Sequence, residues 1–130
     1  MSDRGERIMS AAAGGPAAGQ WQPAARLTVL LDEDDKWRHG PLYHEIVQRA
    51  RDTGLAGASV WRGVEGYGAS SRIHTSRILD LAEHLPVLVM IVDEAERLRA
   101  FVEQNAEVLA AVHVALSEVE IWHPTAGVGR

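Results

Sequence analysis

Residues 54–68 read GLAGASVWRGVEGYG, five glycines among fifteen residues. That glycine load would unravel a helix, yet Val60, Trp61, Val64 and Tyr67 give the stretch more apolar weight than a flexible linker carries. The combination predicts a helix that stops at Gly54, a strand over Ala58–Val64 and a tight glycine-bounded loop beyond it. That loop is the first place to look for binding.

Working upstream, Arg26–Leu31 (RLTVLL) has the branched and aliphatic composition of a strand, ended by the acidic run Asp32–Asp35. Lys36–Gly40 forms a loop, and Pro41 suits a first helical turn, where a missing N–H costs nothing. The helix runs to about Thr53, with Leu42, Ile46, Val47 and Ala50 on one side and Glu45, Gln48, Arg49 and Arg51 on the other.

Downstream, Glu65–Thr75 is a polar loop; in Ser76–Glu83, Ile78, Leu79 and Ala82 suit a short helical turn, while Arg77, Leu79 and Leu81 also fit a period of two. Pro86 opens the clearest strand, Val87–Val92 (VLVMIV). Asp93 is placed to cap the next helix, whose first turn carries Glu94 and Glu96 where the helix dipole favours them. Ala95, Leu98, Phe101, Val102, Asn105, Leu109 and Val112 make its stripe, and Glu118–Trp122 (EVEIW) supplies a fourth strand.

The order β-α-β-β-α-β predicts an α+β, ferredoxin-like sandwich, with two helices on one face of a four-stranded antiparallel sheet. The third strand is apolar on both sides: Val87, Val89 and Ile91 point one way, Leu88, Met90 and Val92 the other. In water both sides then need a cover, and the helices provide only one. A second copy of the chain is the simplest remaining cover, in a closed symmetric oligomer.

Bulk properties narrow the function classes. The chain has 130 residues, enough for one domain, and no run of about 20 apolar residues that would span a bilayer. It contains no cysteine, which removes disulfides and thiolate chemistry and suits a reducing cytoplasm. A formal net charge of -5 argues against general nucleic-acid affinity. Arg4 and Arg7 precede Ile8 and Met9, but no apolar core follows that would make a secretory signal. Residues 1–24 are therefore expected as a disordered leader, 25–123 as the folded domain and 124–130 as a flexible tail.

The densest polar cluster is Ser70, Ser71, Arg72, His74, Thr75, Ser76 and Arg77. Its guanidiniums and hydroxyls suit an anion, and Gly66 and Gly68 let backbone approach a ligand. Tyr67, between two glycines, belongs at a ligand or subunit boundary. Arg62, on a strand face with Val60 and Val64, must be paired at an interface or pointed into a polar site, because an isolated buried charge is prohibitive. The candidate ligand-binding set is thus Arg62, Gly66, Tyr67, Gly68, Arg72 and His74. No catalytic residue is assigned, since Ser70 or Ser76 beside His74 has no third activating group. No metal ligand is assigned either: there is no HExxH, and the Asp32–Asp35 run with His39 reads better as a solvated acidic loop.

GPLY at Gly40–Tyr43, GLAGASV at Gly54–Val60, RGVEGYG at Arg62–Gly68, SRIHT at Ser71–Thr75 and LPVLVMIVD at Leu85–Asp93 resemble, in order and spacing, the DUF190 family of uncharacterised proteins, which is related to the PII signalling proteins. The resemblance implies a homotrimer of ferredoxin-like subunits with sheets facing inward. It further implies adenine-nucleotide binding in clefts between subunits, and a loop at Gly66–Arg77 that contacts a transporter, channel or enzyme. Gly66 and Gly68 match the Gly-aromatic-Gly at the base of the PII loop, and Arg72 follows them. This chain has no tyrosine between Gly68 and Pro86 to serve as a uridylylation target. Val112–Ser117 (VHVALS) also lacks the basic, glycine-rich segment with which PII proteins hold phosphates. An adenylate with fewer phosphates, or another anion, would demand less positive charge. The expectation is a PII-like regulator that senses a small ligand; the alternative is a constitutive adaptor oligomer without one.

Overall fold

The computed structural model of the chain describes residues 18–67, 74–75 and 85–125. In chain order the elements are β1 (Gly19–Asp32), β2 (Lys36–Trp37), β3 (Gly40–Pro41), α1 (Leu42–Thr53), β4 (Ala58–Arg62), β5 (Glu65–Gly66), β6 (His74–Thr75), β7 (Pro86–Asp93), α2 (Ala95–Gln104) and β8 (His113–Pro124). The main sheet has the order β4-β7-β1-β8, and its inner strand β7 is apolar on both faces between Val87 and Val92. This is the ferredoxin-like arrangement expected from the element order. The expected helical turn at Ser76–Glu83 lies outside the described residues.

Registry fixes which residues share a face. Val87, Val89 and Ile91 of β7 stand opposite Leu31, Val29 and Leu27 of β1, and all six are buried. Leu42, Ile46 and Ala50 of α1 and Leu98 and Phe101 of α2 close over them. The other face carries Leu88, Met90 and Val92, opposite Leu30, Thr28 and Arg26. Among the described residues no helix covers that face, and its three β7 residues are half-buried with Leu30 exposed.

The helix ends follow local chemistry. Gly54 closes α1 at φ 88°, a left-handed conformation that costs a glycine little. Pro41 is not inside the first turn. It sits just before α1 and pairs with Lys36 in a small β2–β3 ladder. The stripe expected to run on to Val112 breaks at Gln104. There Asn105 is buried and turns its side-chain amide back, Nδ2 donating to the Phe101 carbonyl at 2.8 Å. Residues 105–112 continue as turns, and Val108 and Leu109 still reach the core.

Strand boundaries differ from expectation in several places, and β4 stops at Arg62, short of the expected Val64. β1 begins at Gly19, so residues 19–24, expected within a leader, are strand, and β8 spans His113–Pro124, well beyond the expected Glu118–Trp122. Contacts distant in sequence supply what local composition does not. The described residues divide into two compact units, one centred on the core from Ala24 to Val119 and a second holding residues 18–23 with 120–125. Within the second, Trp21 and Trp122 meet edge to face at 5.4 Å, and the Thr125 amide donates to the Ala18 carbonyl at 2.8 Å. Residues 1–17 and 126–130 lie outside the described residues.

Asp93, the last residue of β7, does more than start a helix. Oδ1 accepts from the Glu94 amide at 2.7 Å and from Arg97 Nη1 at 3.1 Å, and Oδ2 accepts from the Ala56 amide at 2.8 Å. Arg97 Nη2 in turn donates to the Gly54 carbonyl at 2.7 Å. One buried carboxylate therefore joins the end of β7, the start of α2 and the turn after α1. Replacing Asp93 by Ala is expected to lower stability by about 2–4 kcal/mol, since two backbone donors lose their buried acceptor. Arg97→Ala, removing a half-exposed partner, is expected to cost about 1 kcal/mol. Urea denaturation midpoints of both variants check the difference.

Candidate functional site

The loop singled out in the sequence rises from the start of β7. Two strands are fastened there: the Glu33 amide, just past β1, donates to the Leu85 carbonyl at 2.8 Å, and the Gly63 amide, just past β4, donates to the Pro86 carbonyl at 2.7 Å. Beyond Gly63 the chain forms a narrow ladder in which Glu65 pairs with Thr75 and Gly66 with His74. The polar loop therefore has an ordered two-stranded base, which composition did not foretell.

The glycines have a local reason. A Cβ on Gly63 would come within 2.8 Å of Pro86 Cγ, and one on Gly66 within 2.9 Å of the same atom. Both backbones lie flat on the proline ring, closer than any side chain permits. Gly57 and Gly40 have open space where a Cβ would stand, so the requirement is not shared by every glycine of the chain.

Arg62 has a partner within its own chain. It pairs with Val87 across β4–β7 and so lies on the helix-covered face, as Glu33 does by alternation from Leu31. Reaching past the start of β7, Arg62 Nη2 donates to Glu33 Oε2 at 2.6 Å, with the arginine side chain 57% exposed and the glutamate 22%. Glu33 Oε1 is buried and has no hydrogen-bond partner among the described residues.

Of the remaining candidates, Tyr67 is exposed at the rim of the ladder. The backbone of His74 lies directly across from Gly66. Gly68 and Arg72 lie outside the described residues. The structure thus brings Arg62, Gly66, Tyr67 and the His74 backbone to one end of β7. Glu33, Gly63 and Pro86 belong to the same place, and sequence reading missed them in this role. Glu33 was read only as part of an acidic run, and nothing local marks a partner 29 residues away.

The rest of that acidic run forms a turn. Asp35 Oδ2 accepts from the Asp32 amide at 3.0 Å, and the Asp35 carbonyl accepts from the Leu42 amide at 2.8 Å. Next to it, Trp37 lies between two guanidiniums, Arg38 at 5.4 Å and Arg49 at 5.5 Å from the ring centroid. Arg49 is held by Glu45 at 2.8 Å and Asn105 at 3.0 Å, which anchors the hairpin to α1. Trp61 is exposed on the uncovered sheet face opposite Leu88.

Comparison with known proteins agrees with this architecture. Residues 24–121 match the DUF190 family, "Uncharacterized ACR". A UPF0166 protein of Aquifex aeolicus is 36% identical over 78 residues, covering 60% of this chain and 74% of its own length. A UPF0166 protein of Methanocaldococcus jannaschii is 30% identical over 83 residues, covering 64% of this chain and 76% of its own. Among solved structures, CPII of Thiomonas intermedia K12, a nitrogen regulatory PII-like protein bound to ADP, AMP and bicarbonate, superposes with a TM-score of 0.60. It shares 12% identity, over 80% of this chain and 92% of that one. At that identity the likeness is one of fold.

The close contact at Pro86 yields a direct test. Gly66→Ala is expected to destabilise the protein by about 1–3 kcal/mol through overpacking against the proline ring, while Gly57→Ala stays within about 0.5 kcal/mol of the parent. Adding Pro86→Ala to Gly66→Ala should recover part of the loss, a positive coupling readable in a double-mutant cycle of thermal melts.

Proposed function

The chain belongs to the DUF190 family, and from that premise we propose that it is a PII-like regulator: a homotrimer that senses a small anionic ligand in clefts between subunits and signals through the loop Gly66–Arg77. One observation carries the reading. The site of loop attachment, the start of β7, also presents an ion pair whose arginine is half open to solvent. Anion binding and loop position therefore meet in a few residues on a PII-like fold. CPII, which shares that fold, has been solved with ADP, AMP and bicarbonate, so an adenine nucleotide or a small oxyanion is the ligand class to test.

The uncovered face supports the oligomer. Leu30, Trp61, Leu88, Met90 and Val92 form an apolar surface larger than scattered exposure explains, and sheets turned inward around a threefold axis would cover it. Within the trimer Arg72, His74 and Gly68 are assigned to ligand contact with Arg62, Gly66 and Tyr67. The regulated partner is a transporter, channel or enzyme met by the loop. No helix among the described residues is long and apolar enough to cross a membrane. A cytoplasmic location accords with the lack of cysteine.

The reading is of a binder that switches between loop states, not of a catalyst. A ligand shifts such an equilibrium only by its differential affinity for the two states, so binding and loop protection must change together. The second reading, a constitutive adaptor, shares the trimer but dispenses with the ligand.

Light scattering of the full chain should give three times the 14.2 kDa subunit mass. Leu88→Asp or Met90→Asp should reduce that mass, because a carboxylate would be buried without a partner at the subunit contact. Isothermal titration with ADP, AMP, ATP and bicarbonate is expected to show saturable binding by at least one of them, with slower proteolysis of residues 66–77 in its presence. Trimers that bind none, with unchanged proteolysis, would favour the adaptor.

A further inference from the structure

We infer that Glu33 is a positioning residue that holds Arg62 in reserve, so that only an anion able to displace a carboxylate engages that guanidinium. This rests on the ligand-sensing reading above and adds what sets its threshold and selectivity. The Glu33 side chain is used unevenly: Oε2 takes a 2.6 Å hydrogen bond from Arg62 Nη2, while Oε1 is cut off from solvent with no donor among the described residues. A dry carboxylate oxygen without a donor is costly, and among the described contacts Arg62 is its compensating charge. Arg62 itself remains 57% exposed, open to an incoming ligand from the solvent side.

An anion that takes Arg62 therefore acts on two groups. It must compete with a carboxylate already in place, and it leaves Glu33 with its charge uncompensated. Glu33 cannot stay as it was; its side chain must turn toward water or toward another donor. Its own amide is bonded to the Leu85 carbonyl, next to the proline on which Gly63 and Gly66 rest. Arrival of the ligand is thus transmitted to the base of the loop through one residue and one backbone hydrogen bond.

Selectivity follows from charge. A phosphate carrying close to two negative charges and three acceptor oxygens outbids a single carboxylate. A monoanion such as bicarbonate merely equals the group it has to replace. The geometry points to phosphate-bearing ligands, with Glu33 as the filter against monoanions.

The test titrates the full-length protein and its Glu33→Gln and Arg62→Ala variants with ADP, AMP, inorganic phosphate and bicarbonate. Glu33→Gln is expected to tighten binding by roughly three- to tenfold, the scale of a partly exposed ion pair, with the largest relative gain for bicarbonate. Arg62→Ala is expected to weaken phosphate-bearing ligands. Without ligand, hydrogen exchange at residues 63–67 should be faster in Glu33→Gln than in the parent. Equal affinities and equal exchange in Glu33→Gln, with parental binding intact, overturn the role of Glu33 and leave the ligand-sensing reading standing. Absence of binding in all three proteins overturns both. Should Glu33→Gln fail to melt cooperatively, Glu33→Asp, which keeps the charge but draws back from Arg62, must tighten binding in the same direction; unchanged affinity there also overturns the inference.

Discussion

Everything in this fold is referred to one strand. β7 lies between β4 and β1, and its eight residues alternate without interruption between two apolar faces. The inner set, Val87, Val89 and Ile91, is what both helices pack upon. Its two ends act as fastenings. At the start, the Leu85 and Pro86 carbonyls receive the amides that follow β1 and β4. At the finish, Asp93 gathers the turn after α1 and the start of α2. A change in β7 is therefore felt at either end of the molecule's core, whereas a change in the β2–β3 hairpin is felt mainly by Trp37 and α1.

This arrangement explains why binding chemistry would collect at one end and not the other. The Asp93 end is closed: a buried carboxylate has its donors, and Arg97 is engaged on both sides. The Pro86 end is incompletely satisfied, with a carboxylate oxygen lacking a donor among the described residues and an arginine partly open to water. A satisfied network gives rigidity; an incompletely satisfied one gives something for a ligand to complete. Glycine economy follows the same division. Gly54 is needed for its backbone conformation, Gly63 and Gly66 for their lack of a side chain.

The parts of the molecule governed by short-range pattern were legible in the sequence. Two-sided alternation in Val87–Val92 located the central strand, and the 3.6-residue spacing of Leu42, Ile46 and Ala50 located the buried face of α1. Gly54 ended that helix where it was expected to. Several of the failures involve partners far apart in the chain. Gly19–Pro23 has no strand composition of its own, and becomes strand in a setting that includes the Trp21–Trp122 contact. The second helix loses its register because Asn105, read as part of a stripe, folds its amide back on Phe101. In the candidate site, Arg62 was recognisable as a charge in need of a partner. That the partner would be Glu33, reached past the start of an intervening strand, depends on strand order, which no local window contains.

The distribution of tryptophan has an optical consequence. The chain has four, and no two share the same surroundings except the pair Trp21 and Trp122. Those two indoles meet at 61°, close enough for their transitions to couple and lend near-ultraviolet ellipticity to that strand pair. Trp37 is flanked by guanidiniums and reports on the hairpin. Trp61 lies on the uncovered sheet face with its Nε1 donating to Ser59 Oγ at 2.9 Å, so its emission colour registers whether that face meets water or another surface. The protein carries a separate intrinsic chromophore for its extended strand pair, its hairpin and its open sheet face, and needs no extrinsic dye to follow them.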